Sequence, residues 1–128
     1  MPYNTVTPEQ HEWVTRPHEE GEPARHVAAL SEKLGSTQVR ANIWRYEPGA
    51  KGKRHVHARQ EETFVVLSGT LTMYVGDPPE SVELLPGEVI NIPAGTALQS
   101  ANHGEEDLFV YAYGYPPDQG AEVLESAI

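Results

Sequence analysis

Glycine and proline divide this chain into short apolar runs, and this division constrains the fold more than any other feature. The 128 residues include eleven Gly and eleven Pro, which fall between segments rich in β-forming residues. Because both residues favour turns, the arrangement is typical of an all-β protein, and many short strands in series predict a sandwich or a barrel. The predicted strands cover residues 37–46, 63–67, 70–75, 81–85, 88–92, 96–101 and 107–113.

The segment before these strands contains two predicted helical pieces. Thr7 is a helix cap, with Pro8 in the first turn and Gln10 three residues after the cap. In the second piece Gly35 supplies a stop, and the residues on one helical face are Val27, Leu30, Ser31 and Leu34. A strand is the alternative for this second piece. We therefore expect an N-terminal extension over residues 1–36, a β domain over 37–115, and an arm or short pairing strand over 116–128.

The chain is acidic and contains no cysteine. Nine Lys and Arg oppose nineteen Asp and Glu, which gives a formal charge of −10. Phosphate backbones and anionic membrane surfaces repel such a chain, so we expect neither a nucleic acid nor a membrane as a partner. The lack of cysteine excludes disulfides, thiolate ligands and a thiol nucleophile. Since residues 1–14 contain no apolar run like that of a signal peptide, we expect a cytoplasmic protein.

Three side chains within residues 49–69 predict a metal site. His55 and His57 are two residues apart, so they share one face of an extended strand, and Glu62 follows five residues after His57. Two imidazoles and a carboxylate on one interior face are suited to a transition metal. We expect a divalent ion, which is Fe, Zn, Ni or Mn.

The spacing around these ligands resembles the two sequence motifs of the cupin superfamily. The first motif matches at Gly49, His55, His57, Glu62 and Gly69, and the second at Gly87, Pro93, Gly95 and Asn102. This resemblance implies an all-β fold, a cupin double-stranded β-helix or jelly-roll barrel, here preceded by short N-terminal helical segments. It also implies a homodimer and a metal site inside the barrel.

The chain departs from the family pattern at Leu98, where the resemblance implies a histidine as the fourth metal ligand. Leucine cannot donate an electron pair, so one coordination arm is missing. The remaining His₂Glu set is the one found in open-site iron oxygenases and in catalytic zinc sites. The alternative is a site that has decayed. Gln99 would face the other side of its strand, and His103 would lie at the rim.

Strand periodicity predicts the walls of a pocket around the ligands. Residues two apart from Glu62 and from Leu98 share the interior face with them. The predicted pocket residues are Gln60, Phe64, Val66, Met73, Leu98, Ser100 and Tyr111. Such a cavity would be apolar and would suit a hydrophobic or aromatic small molecule, although each residue alone is also explained as part of the core.

Several neighbouring positions stay open. Glu61 competes with Glu62 as third ligand, but the motif spacing favours Glu62 and leaves Glu61 facing solvent or supporting a ligand imidazole. Arg40 and Asn42 lie on the same face of the predicted strand as Trp44, and they would reach the cavity if that face points inward.

Three basic residues precede the ligands, namely Lys51, Lys53 and Arg54. They either attract an anionic substrate to the barrel mouth or form a solvated loop with no role. We favour the solvated loop.

Two functions fit these features. The first is a metal-dependent enzyme acting on a small organic molecule, which would be a dioxygenase with iron or a Lewis-acid isomerase or lyase with another metal. The second is a non-catalytic small-molecule binding or sensor protein with a degenerate metal site, which the leucine at position 98 favours. The fold does not choose between them.

Overall fold

Two antiparallel sheets form the protein, as seen in a computed structural model that describes residues 2–117 and 120–128. A 3₁₀ turn covers Pro8–Gln10, and a single helical turn, α1, covers Ser31–Leu34. The first six strands are β1 (Val14–Thr15), β2 (Arg25–Ala29), β3 (Arg40–Tyr46), β4 (His55–His57), β5 (Glu61–Ser68) and β6 (Leu71–Val75). The remaining strands are β7 (Glu80–Leu84), β8 (Val89–Ile92), β9 (Leu98–Ala101), β10 (Leu108–Tyr115) and β11 (Ala121–Val123).

The chain passes back and forth between the two sheets. The larger sheet has the order β1-β2-β3-β10-β5-β8, and the smaller one has the order β11-β4-β9-β6-β7. Neighbours such as β3 and β10, or β4 and β9, are far apart in sequence, which is the topology of a jelly roll rather than of a simple meander. The prediction of an all-β double-stranded β-helix is therefore confirmed.

Alternating burial shows which face of each strand points inward. On β10, Leu108, Val110 and Ala112 are buried, whereas Tyr111 and Tyr113 point the other way. The buried apolar cluster consists of Tyr46, Ala50, Phe64, Val66, Leu71, Met73, Leu84, Ile92, Leu98, Leu108, Val110 and Ala112. The core thus lies between the two sheets.

The N-terminal segment is more extended than the helical interpretation predicts. Residues Arg25–Ala29 form β2, which pairs with β3, so the strand alternative applies to Val27. Within residues 25–35 the helix covers only Ser31–Leu34, and it ends at Gly35 with a φ of 68°. The capping pattern at Thr7 is present, because the backbone N–H of Thr7 donates to the Gln10 side chain. None of the helices in the described residues is long and apolar enough to span a bilayer.

The second-motif residue Asn102 has a structural role. Its side chain is fully buried, and Nδ2 donates to the carbonyls of Tyr46 and Glu106. Its Oδ1 accepts from the backbone N–H of Gly104. Asn102 therefore connects the end of β9 to the end of β3 and to the loop that enters β10.

Candidate metal centre and cavity

Strands β4 and β5 bring the three predicted ligands together. His55 and His57 point inward from β4, and Glu62 points inward from the start of β5. The Oε1 atom of Glu62 lies 2.8 Å from Nε2 of His57 and 3.5 Å from Nε2 of His55. One ligand atom from each of the three residues lies within 4.8 Å of those of the other two, so the group can hold a metal ion.

The protonation of His55 is fixed by a backbone carbonyl. Its Nδ1 lies 2.9 Å from the carbonyl oxygen of Lys53, which can only accept a hydrogen bond. Nδ1 must therefore carry a proton, and Nε2, which faces Glu62, is the nitrogen left to bind a metal ion. A backbone carbonyl commonly orients metal-binding histidines in this way.

Glu62 lies between two imidazoles whose pKa values shift in opposite directions. Burial disfavours the charged form of His55, but Glu62 and the Lys53 carbonyl outweigh burial and raise the pKa of His55. Burial lowers the pKa of His57, and the nearby His55 lowers it further despite the attraction of Glu62. His57 is therefore a neutral imidazole at pH 7, which is the form that binds metals.

The donor set fits a divalent transition metal. Ligands about 2.0–2.2 Å from one ion lie roughly 2.8–3.6 Å from each other, and both distances from Glu62 Oε1 fall in that range. Within the described residues, this buried oxygen has no hydrogen bond, because its close contact with His57 lacks hydrogen-bond geometry. A buried carboxylate oxygen without a hydrogen-bond donor is costly unless a cation completes it.

Leu98 lies where the resemblance implies a fourth ligand. It pairs directly with His55 across β4 and β9, is only 3% exposed, and lines the same cavity. The two side chains therefore share a face. Gln99 faces the other way, where its amide donates to the carbonyl of Gly52. His103 is exposed and contacts the hydroxyl of Tyr74, so neither residue replaces the missing ligand.

Glu61 faces solvent. Its carboxylate accepts a hydrogen bond from Asn91 Nδ2 on the outer face of the larger sheet. The choice of Glu62 as the inward carboxylate agrees with this arrangement, because adjacent strand residues point to opposite faces.

A cavity of about 420 Å³ opens over the three ligands. Four of the predicted pocket residues line it, namely Gln60, Phe64, Leu98 and Ser100. Three others do not. Val66 and Met73 belong to the buried apolar cluster but are not among the cavity-lining residues, and Tyr111 points outward because Ala112 occupies the inward position next to it. The pocket assignment of these three residues is therefore corrected.

The structure shows which face of β3 points into the cavity. Arg40, Asn42, Trp44 and Tyr46 all line the cavity, so the face that carries Trp44 points inward. The sequence could not decide this, because no metal ligand lies on β3 to fix its register.

Both ends of the chain also contribute to the cavity, and these residues were missed. The N-terminal ones are Arg16, Pro17, Arg25, Val27 and Ala29, and the C-terminal ones are Ala121 and Val123. The period of two in residues 25–29 is the available signal, but the helical face formed by Val27, Leu30, Ser31 and Leu34 competes with it. For residues 121–123, the signal is the short pairing strand predicted within residues 116–128. In the structure this strand is β11, which pairs with β4.

The cavity has a mixed lining, because charged side chains accompany the apolar walls that the sequence predicts. Its lining includes Arg16, Arg25, Arg40 and Lys53 beside the metal ligands. Lys53 therefore faces the cavity, whereas Lys51 reaches the carbonyl of Ile128 and Arg54 reaches that of Gly76.

Residues 42–113 match the family described as the cupin domain. The chain belongs to this cupin family. Among curated proteins, germin-like protein subfamily 1 member 4 from Arabidopsis thaliana is 29% identical to this cupin over 117 residues. That match covers 84% of this chain and 53% of the plant protein, so the chain spans about half the length of the curated relative.

Solved structures share the fold of this cupin. A sugar phosphate isomerase of the cupin superfamily from Silicibacter pomeroyi has a TM-score of 0.75 at 23% identity, covering 88% of this chain and 76% of that chain. A predicted oxalate decarboxylase from Thermotoga maritima has a TM-score of 0.76 at 18% identity, covering 88% and 99%. At such low identity the likeness shows the fold alone.

Proposed function

We propose that this cupin binds a divalent transition metal, Fe, Zn, Ni or Mn, through His55, His57 and Glu62 and acts on a small organic molecule. The observation that carries this proposal is the convergence of two imidazole Nε2 atoms on a buried carboxylate oxygen that has no hydrogen bond among the described residues. The names of the isomerase and of the predicted decarboxylase described above support small-molecule chemistry on this fold, although they do not select a reaction.

The residues of the chain have distinct tasks in this proposal. His55 and His57 donate neutral nitrogens, and Glu62 neutralises part of the ion's charge. Leu98 leaves the coordination position next to His55 without a protein ligand, so that a substrate or water can occupy it. When bound, the metal would supply either chemistry with dioxygen or Lewis-acid polarisation of a carbonyl. Phe64 and Leu98 would limit the access of bulk water.

A second candidate is a non-catalytic binding or sensor cupin. Two observations favour it, namely the buried leucine at position 98 and the absence, among the described lining residues, of any carboxylate besides Glu62 that could act as an acid or base. The homodimer and the cytoplasmic location also stay predictions, and sedimentation velocity and cell fractionation test them.

Elemental analysis of untagged protein, purified without chelators, tests metal binding. We expect about one metal ion per chain, and we expect His57→Ala to lose it because it removes one of three ligands. His103→Ala is the matched control, since His103 is exposed and lies outside the cavity. Protein that stays empty when offered Fe, Zn, Ni and Mn would contradict the proposal.

Cobalt-substituted protein tests the open position. Azide is a small ligand that binds only where a metal has an exchangeable site, and it changes the visible absorption of cobalt. We expect a saturable change on adding azide. A spectrum that azide leaves unchanged would exclude the open position and favour the degenerate-site alternative.

A further inference from the structure

Positive charge is concentrated around the cavity of an otherwise acidic protein. The lining contains four of the nine Lys and Arg of the chain, but among the described residues only one of its nineteen Asp and Glu, which is Glu62. With a formal net charge of −10, a random selection of charged side chains would give an acidic lining. The net charge of the cavity lining is therefore positive, whereas that of the rest of the chain is negative.

Arg25 is positioned by two aromatic rings of the cavity wall. It lies on β2 opposite Tyr46 of β3, and its guanidinium carbon is 5.0 Å from the ring centroid of Trp44 and 5.7 Å from that of Tyr46. No carboxylate of the described residues forms an ion pair with it. The aromatic rings position the guanidinium without neutralising its charge, so it keeps its capacity to bind an anion.

Two hydroxyl groups accompany the guanidinium. A Cβ atom added to Gly52 would lie 3.4 Å from Nη1 of Arg25, 2.7 Å from Oγ of Ser100 and 3.5 Å from the hydroxyl of Tyr46. These three polar groups therefore gather around one backbone position, where an added Cβ would displace the Ser100 hydroxyl. The Tyr46 and Ser100 hydroxyls are 2.5 Å apart, and Ser100 follows Leu98 by two residues on the same inward face.

We propose that the molecule taken by this cavity is a small organic anion, a carboxylate or a phosphate ester, whose anionic group is bound by Arg25. A guanidinium matches the oxygens of both groups through two parallel hydrogen bonds. The apolar part of the molecule would contact Trp44 and Phe64, which line the same cavity. This substrate class rests on the proposed function, because it places the anion beside the metal centre.

Anion and metal should also strengthen each other's binding. A divalent cation adds positive charge next to Arg25, and a bound anion offsets that charge. Binding free energies are linked, so an anion that binds more tightly to the metal-loaded protein must raise metal affinity by the same factor.

Isothermal titration with matched probes tests the proposal. Benzoate and phenyl phosphate carry the two anionic groups, and benzamide is a neutral analogue of benzoate. For zinc-loaded protein, we expect at least one anion to bind about ten times more tightly than benzamide or better, since hydrogen bonds to charged groups are strong. The tighter of the two anions identifies the carboxylate or the phosphate class.

Variants of Arg25 locate the anion. Arg25→Gln should weaken anion binding about tenfold or more while leaving benzamide binding unchanged, and Arg25→Lys should give an intermediate affinity because it keeps the charge but loses the paired hydrogen bonds. Arg45→Gln is the control, since it removes the same charge from an arginine that pairs with Asp107 outside the cavity. Near-ultraviolet circular dichroism checks that each variant is folded. If Arg25→Gln does not fold, the comparison of Arg25→Lys with the wild type provides the test.

The outcomes separate this inference from the proposed function. Equal affinity for anions and benzamide, or anion binding that both Arg25 variants leave unchanged, would overturn the inference even if the protein contains zinc. Anion binding that depends on Arg25 in a protein that holds no metal would support the anion site and contradict the metal centre. Zinc content is therefore measured on every sample.

Discussion

Leu98 would decide how many protein ligands a metal ion has in the proposed centre. It stands beside His55 on the neighbouring strand, and its buried side chain reaches the cavity that holds the three donors. A side chain without a lone pair at this point leaves a three-ligand set, which is the arrangement of catalytic rather than structural zinc sites.

Restoring a ligand at this position should strengthen metal binding. We expect Leu98→His to lower the dissociation constant for zinc about tenfold or more, because a fourth imidazole would complete a tetrahedral set. Competition with a fluorescent chelator measures the change. Val56→His is the matched control, since it adds an imidazole on the outer face of β4. Equal affinities of Leu98→His and Val56→His would show that Leu98 does not face the metal.

Gly69 is required by both its backbone conformation and its surroundings. Its φ is +83°, and an added Cβ would lie 2.6 Å from the carbonyl oxygen of Asp107 and 2.9 Å from Cα of Leu108. Gly69→Ala should therefore lower the free energy of unfolding by about 1–2 kcal/mol through the left-handed conformation. The backbone clash should lower it by about 1–3 kcal/mol more.

Gly87→Ala separates the two causes. Gly87 has a φ of +88°, but nothing lies within 4 Å of an added Cβ, so only the conformational cost applies. Urea unfolding of the two variants measures the difference in stability. If Gly87→Ala destabilises the protein as much as Gly69→Ala, the close packing at Gly69 has no effect.

The strand that carries both histidines depends on the C-terminal segment. Strand β4 shares one register pair with β9, which joins His55 to Leu98, but it pairs with β11 along its whole length. Ala121 and Val123 of β11 also form part of the cavity wall. The geometry of the three candidate ligands thus depends on an element far along the chain.

Removing the C-terminal segment should loosen the histidine strand. We expect a chain ending at residue 117 to exchange the amide hydrogens of residues 55–57 faster and to bind zinc at least ten times more weakly. A chain that lacks only Ala127 and Ile128 keeps β11 and serves as the control. Hydrogen-exchange mass spectrometry and chelator competition measure the two effects, and unchanged exchange in the shorter chain would contradict this account.

Local patterns predicted the elements of the barrel better than their association. Period-two alternation and the motif spacing depend on neighbouring residues, and they predict that His55, His57 and Glu62 point inward. The structure brings these side chains together from two different sheets. The position of β2 beside β3 depends on pairing between distant segments, which a short pattern does not encode. Arg25 was therefore overlooked, and Tyr111 was assigned to the wrong face of β10.

The fold and the site have one thermodynamic consequence for the entire protein. The three ligands come from two strands of different sheets, so the unfolded chain does not present them together. A metal that binds only the folded state must stabilise that state.

Zinc should raise the melting temperature. At a free zinc concentration one hundred times the dissociation constant, the folded state gains about 2.7 kcal/mol, which raises the melting temperature on the order of 10 °C for a domain of this size. Differential scanning calorimetry measures the shift. His57→Ala should show almost none, whereas His103→Ala should behave like the wild type. An equal shift in His57→Ala would place the stabilising zinc elsewhere.

Anomalous diffraction at the zinc absorption edge, from crystals of the zinc-loaded protein, tests metal binding by His55, His57 and Glu62 most directly. We predict one strong peak within bonding distance of Nε2 of both histidines and of the Glu62 carboxylate, with no further protein ligand on the side of Leu98. A peak bound to other side chains, or no peak in protein soaked with excess zinc, would contradict the account.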